Sequence, residues 1–391
     1  MGMKTLSFKS DKASVAGALE KCAGIKPQII LFFAAPELFR DKAFIDSLAK
    51  AVDRGANVIG CSTAGEICRE GVFDDGVSLL ALRFDATEVR ISQVHLPSPD
   101  QSEEAGMTLG KSFISFAPKG IFVLCPGTNA EGSQFTINGS RFAKGLADTV
   151  GKDVVVTGGL AGDGTSFKQT YTFLNGKVYK DHVVAFGLCG DKVSFRSGSR
   201  GGWQPFGPIR RVTCSEDNIL YELDGKPALD LYKEYLGDKA ADLPASGLLY
   251  PLSILDEDER KEIGLIRTIL AVDEDKKSLT LAGDLPQGCL VRLMCADTDT
   301  LVGGAQEAAE QAKSPADGET ATVLVSCIGR KIVMGNDVED EVEAVVRTMG
   351  GKSGVIGFYS YGEICPFSQT GFAELHNQTM TITHISETEA A

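Results

Sequence analysis

The sequence predicts a mixed α/β protein in two parts, with helices laid on the faces of its sheets. Short apolar runs such as Ile29 to Ala34 and Ile121 to Cys125 alternate with stretches of helical periodicity, the pattern of strand, helix, strand units. A turn recurs near the two ends of the chain: Val58 to Ile67 and Val355 to Ile364 both read V-I-G-x-x-x-x-G-E-I, identical at six of ten positions. That is a pseudo-duplication, with a period too long for a solenoid. Asn175-Gly176 and an acidic, lysine-containing turn after Val272 join strand-like runs as hairpins, so the sheets are mixed and not wholly parallel.

The elements follow in order. The first unit runs from the strand Ile29 to Ala34 through a helical stretch carrying Leu38, Ile45, Leu48 and Val52 to a second strand and the Val58 to Ile67 turn. A second such unit starts at Ile121, passes through a helix around Ser140 to Thr149 and closes at Val154 to Asp163, where glycine again precedes an acid. Next come the hairpin of Tyr171 to Leu174 with Lys177 to Leu188, and that of Ile263 to Val272 with Ser278 to Ala282. The third unit begins at Val323 to Cys327, continues through a helix with Val338, Val342, Val345 and Met349 on one face, and ends at the second copy of the turn. A concentration of glycine and proline over 198–208, before a helical stretch at Pro227 to Leu236, sets a boundary that divides the chain into 1–205 and 206–391. The glycines of the three turns mark positive φ or close backbone approach. Such turns lie at strand ends, where open α/β sheets place their crevices.

Composition narrows the function. At 391 residues with 43% hydrophobic and 24% charged, the chain has the make-up of a folded globular protein. Lysine and arginine total 39 against 53 acidic residues, a net charge of −14, which argues against a nucleic-acid partner. No apolar run reaches the length of a signal peptide core or a membrane span, so a cytoplasmic protein with no membrane partner is expected. Ten cysteines without any C-x-x-C pair speak against a zinc ribbon and a disulfide framework.

No motif points to an enzyme. Gly351-Lys352-Ser353 lacks the earlier glycine of a phosphate loop and follows a helix. The glycines of Gly158 to Gly164 are out of dinucleotide-binding order, and no G-x-S-x-G occurs. No nucleophile, base and orienting group cluster in any segment. Of the four histidines, His95, His376 and His384 sit in strand-like runs that suit packing or backbone hydrogen bonds. His182 differs, because it opens the apolar strand Val183 to Leu188 and can project from its end. A single histidine suffices as a proximal haem ligand.

The residues closing the turns carry a family resemblance. Gly60 to Glu66, Gly158 to Asp163, Tyr221 to Asp230, Ser326 to Arg330, Gly357 to Glu363 and Leu375 to Thr379, in that order over about 25–385, resemble the FIST family of bacterial sensory proteins. The resemblance implies an N-terminal and a C-terminal FIST part, and signal transduction by small-ligand sensing, with amino acids as suggested ligands. It also implies a branch of haem proteins that sense nitric oxide and act on a separate histidine kinase or cyclic-di-GMP enzyme. On that branch, haem b is bound by His182 as the metal ligand, with Phe173, Phe186 and Trp203 as pocket walls. The alternative is a metabolite-binding module without haem, in which Glu66, Asp163 and Glu363 accept bonds from an ammonium group and Arg330 pairs with a carboxylate. A homodimer is compatible with either.

Overall fold

The computed structural model describes residues 2–128, 135–255, 262–315, 318–367 and 370–388. Three segments of the chain build the same unit. In the first, β1 (Lys4–Ser10), α1 (Val15–Ala23), β2 (Ile29–Ala34), α2 (Lys42–Asp53) and β3 (Asn57–Ser62) precede a short hairpin, β4 (Glu66–Cys68) with β5 (Gly71–Phe73), and then β6 (Val77–Arg83). The second repeats this as β7 (Glu88–His95), α3 (Ser102–Ile114), β8 (Gly120–Cys125), α4 (Gly139–Val150), β9 (Val155–Leu160), the hairpin β10 (Thr172–Leu174) with β11 (Lys177–Tyr179), and β12 (His182–Cys189).

The third unit opens with β13 (Val193–Arg200) and is interrupted by an insert: β14 (Gln204–Glu216), β15 (Ile219–Leu223), β16 (Lys226–Pro227), α5 (Ala228–Leu236), β17 (Leu252–Leu255), β18 (Glu262–Arg267), β19 (Ile269–Asp273), β20 (Ser278–Leu281) and β21 (Leu290–Cys295). It resumes with α6 (Thr298–Ala312), β22 (Thr320–Cys327), α7 (Ile328–Met334), α8 (Val338–Met349), β23 (Ser353–Ser360), the hairpin β24 (Glu363–Pro366) with β25 (Ala373–His376), and β26 (Met380–Glu387).

The three six-stranded sheets have one order: β1-β6-β2-β3-β10-β11, β7-β12-β8-β9-β24-β25 and β13-β26-β22-β23-β4-β5. Each therefore holds a parallel pair from its own unit and a hairpin donated by another. The donation is cyclic, so the three units interlock as a ring. Every strand of a parallel pair is covered on both sides, which explains why β2 reads IILFFA with all six residues buried. Helices cover the outer faces: α2, capped by the Asp41 side chain on the Phe44 N–H at 2.9 Å, buries Phe44, Leu48 and Ala51. The inner faces of all three sheets meet in one core, with Phe33 and Ile59 from the first, Phe122 and Phe186 from the second, and Val325 and Phe358 from the third. The Phe33 and Phe358 rings lie 4.5 Å apart across it. The insert forms an eight-stranded antiparallel sheet with its own core of Val212, Leu220, Leu229, Ile269 and Leu279.

The expected mixed architecture is present, and the pseudo-duplication proves to be two legs of a triplication. The middle copy escapes a sequence match because, of the six residues the other two turns share, it keeps only Val156 and Gly158, while Thr157, Asp163, Gly164 and Thr165 stand at the other four positions. Two expected strands are each broken in two. Lys177 to Leu188 ends as β11 at Tyr179 and restarts as β12 at His182 in a different sheet. Ile263 to Val272 divides at Thr268 into β18 and β19. Alternation of side chains records which face is buried, not which partner strand is paired. The 205/206 division falls in β14, at the start of the insert.

Candidate functional site

The turns that end β3, β9 and β23 converge where the units interlock. Ala64 N–H donates to Tyr359 O at 2.8 Å, Gly162 N–H to Ser62 O at 3.0 Å, and Tyr361 N–H to Leu160 O at 3.2 Å. Each turn is thus held by its neighbour. Gly162 is required by this approach, since a Cβ there would lie 2.8 Å from Ala64 N.

Two of the turns contain the same buried pair. Thr63 Oγ1 donates to Glu66 Oε1 at 2.5 Å, and Gly76 N–H donates to Oε2 at 3.2 Å. Ser360 Oγ donates to Glu363 Oε1 at 2.6 Å, while the Thr379 N–H and hydroxyl reach Oε2 at 3.2 and 2.9 Å. Burial pushes each carboxyl up to about 8 against the pull of these bonds. In the middle turn Asp163 accepts the N–H groups of Lys168 at 2.9 Å and Gln169 at 2.8 Å. It also accepts the Tyr361 hydroxyl, and the Phe167 ring stacks on Tyr361 at 4.4 Å.

A cleft of about 510 Å³ opens over the first two turns, between the 3₁₀ turn Pro36–Arg40 and α7. Thr63, Glu66, Asp74, Asp163, Ser166 and Lys331 are among its walls. Lys331 is the one basic side chain among the described lining residues. Its Nζ donates to Ala64 O at 3.1 Å and Asp74 Oδ1 at 2.5 Å, and lies 5.4 Å from the Tyr359 ring centre. Opposite charges from three units therefore face one space of ordinary ligand-pocket size.

Of the residues expected to bind ligand, Glu66 and Asp163 line this cleft, whereas Glu363 and Arg330 do not. Glu363 is sealed beneath Thr379 and fully buried. Arg330 points into the protein: Nε and Nη2 meet Glu341 Oε2 at 3.0 and 2.7 Å, and Nη1 and Nη2 bond the carbonyls of Gly201 and Leu301 at 2.5 and 2.9 Å. Glu341 also accepts Ser326 Oγ at 3.0 Å and Tyr359 OH at 2.7 Å, completing a buried network. Its geometry is a structural anchor in place of the expected carboxylate site. Lys331, one residue on, takes the cleft position, and its only sequence signal was that neighbourhood.

The expected haem pocket is not assembled, and the residues as arranged do not fit the group. Phe173 packs in the core outside the first sheet, edge-on to Phe32 at 5.2 Å. Phe186 lies in the central core against Phe122, and Trp203 lies in a third cluster with its Nε1 on Gln378 O at 2.8 Å. His182 is partly exposed, with Nδ1 on Asp181 Oδ1 at 2.7 Å and its ring between Tyr179 and His95. Phe173 and Phe186 are separated because they stand in different sheets and face different cores, and Trp203 lies in the connection between β13 and β14, none of which strand patterns alone reveal.

The chain is similar to several known proteins. An uncharacterized protein of Methanocaldococcus jannaschii is 24% identical over 386 residues, covering 90% of this chain and 72% of the relative. Among solved structures, a cyanuric acid hydrolase from A. caulinodans aligns at 8% identity and a TM-score of 0.41 over 99% of this chain and 100% of that one. The PurLQS structure from Thermotoga maritima aligns at 8% identity and a TM-score of 0.22, over 99% of this chain and 73% of that one. The FIST N domain model matches residues 28–226 and the FIST C domain model residues 228–366. FIST domains are sensory domains of signal transduction that bind small ligands. This chain, matched by both models over most of its length, belongs to the FIST family.

Proposed function

We propose that the chain is a sensor for a small zwitterionic metabolite of the amino-acid class, bound in the cleft over the first two turns. The observation that carries this reading is the meeting of Glu66, Asp74 and Asp163 with Lys331 on one cleft of about 510 Å³. An ammonium group finds acceptors in the acidic turns, and a carboxylate finds the Lys331 ammonium once it leaves Asp74. The cleft joins parts of all three units, so occupancy biases how the interlocked turns sit. The output is regulation of a separate signalling enzyme, a histidine kinase or a cyclic-di-GMP enzyme. Haem-based sensing of nitric oxide draws no support from the surroundings of His182 and is not part of this reading.

The test is calorimetric titration of the protein with each of the twenty standard amino acids, beside Lys331→Ala and Glu66→Gln variants. Binding of one of them, weakened at least tenfold in Lys331→Ala, is the expected result. Binding that both variants leave unchanged, or no binding by any of the twenty, overturns the reading.

A further inference from the structure

His182 and His95 face each other directly across the antiparallel pair β12 and β7. Residues so placed project from the same face of a sheet with Cβ atoms roughly 5 Å apart, and here the ring centres stand 4.9 Å apart. One carboxylate serves both rings: Asp181 Oδ1 lies 2.7 Å from His182 Nδ1 and Oδ2 lies 3.3 Å from His95 Nε2. A carboxylate only accepts, so each nitrogen that faces it carries a proton. The remaining nitrogens, His182 Nε2 and His95 Nδ1, are left with lone pairs. A carboxylate holding the outer N–H of an imidazole, so that the other nitrogen is oriented and more basic, is the usual support of a metal-binding histidine.

We propose that His95 and His182 bind a divalent transition metal through those two nitrogens, with Asp181 as the supporting carboxylate. Among the described residues no group of three or more histidines, cysteines and acids is placed to hold a metal, so the protein supplies two ligands and water completes the sphere. Imidazole pairs suit zinc, nickel and copper, not magnesium or calcium. The partial exposure of both rings, 53% for His95 and 23% for His182, leaves room for that water. The Tyr179 ring, 4.3 Å from the His182 ring centre, closes the other side. This site is separate from the cleft but close to it in the ladder. Thr172 Oγ1 donates to His182 O at 2.8 Å, and Thr172 pairs with Cys61, next to the first turn.

The experiment is calorimetric titration of the protein with Ni²⁺, beside His95→Ala, His182→Ala, Asp181→Asn and, as a control at a neighbouring position, Lys180→Ala. Thermal unfolding establishes that each variant is folded. The expected result is one equivalent of Ni²⁺, bound at least tenfold more weakly by either histidine variant, roughly 10–100-fold more weakly by Asp181→Asn, and equally well by Lys180→Ala. No binding by the parent protein overturns the proposal. So does an affinity that survives loss of either histidine, which would place the metal elsewhere.

Discussion

The Glu66 and Glu363 turns contain one hydrogen bond in two settings. In each, a hydroxyl three residues earlier donates to a glutamate that the fold buries. At the first turn Glu66 is a wall of the cleft. At the third, Thr379 from the segment leading into β26 supplies two further donors and closes the carboxyl off. The local motif thus determines the bond. Whether that bond belongs to a binding site depends on what is laid over it: α7 of the third unit, with Lys331, stands across the cleft from Glu66, whereas Glu363 is covered by Thr379 of its own unit.

The largest expected effect breaks the support beneath the closed turn. Arg330 and Glu341 are both fully buried, and Arg330→Ala leaves the Glu341 carboxylate unpaired. The variant should lose about 3–5 kcal/mol in urea unfolding. A loss no greater than that of an exposed ion pair would show that the network is not the anchor. Next in size, Ser360→Ala should cost about 1–3 kcal/mol because no solvent reaches Glu363. Thr63→Ala should cost about 0.5–1.5 kcal/mol, since water in the cleft can take over the bond. Equal costs at the two positions would mean that the cleft does not distinguish them.

The two carboxyls also predict a pH dependence. Their folded pKa values of about 8 lie above the ordinary 4.5, so between those limits the folded chain holds protons that the unfolded chain releases. Their contribution to stability is fully present below about 4.5 and is lost as pH rises through 8. Glu66→Gln and Glu363→Gln should each flatten the fall in melting temperature over that range. A melting temperature that falls as steeply in both variants as in the parent protein would assign the pH dependence to other groups. Smallest in stability is Lys331→Ala, whose partner Asp74 is 63% exposed. It should change unfolding by no more than about 1 kcal/mol while weakening ligand binding at least tenfold. A larger stability loss would make Lys331 structural, as Arg330 is.

Much of the architecture was legible in the chain. The parallel pairs were marked by continuous apolar runs, the Asn175-Gly176 hairpin by its turn, and α2 and α8 by their periodic apolar faces. The acidic turns were legible too, because glycine before an acid at a strand end is a local pattern. Arg330 and the aromatic residues were not placed correctly, since a side chain's surroundings depend on partners far along the chain. Arg330 meets Gly201 and Leu301, 129 and 29 residues away in sequence.

The sequence by itself determined which segments become strands, helices and turns, since propensity, periodicity and turn chemistry act over a few residues. Only the tertiary structure decided that the three units share one sheet order, that each lends a hairpin to another, and that Lys331 faces the cleft while Arg330 faces the core. Those outcomes depend on cyclic strand exchange, in which backbone groups pair across the whole chain. Pairing between distant strands uses the same N–H and C=O groups in every residue, so side-chain identity carries little record of the partner.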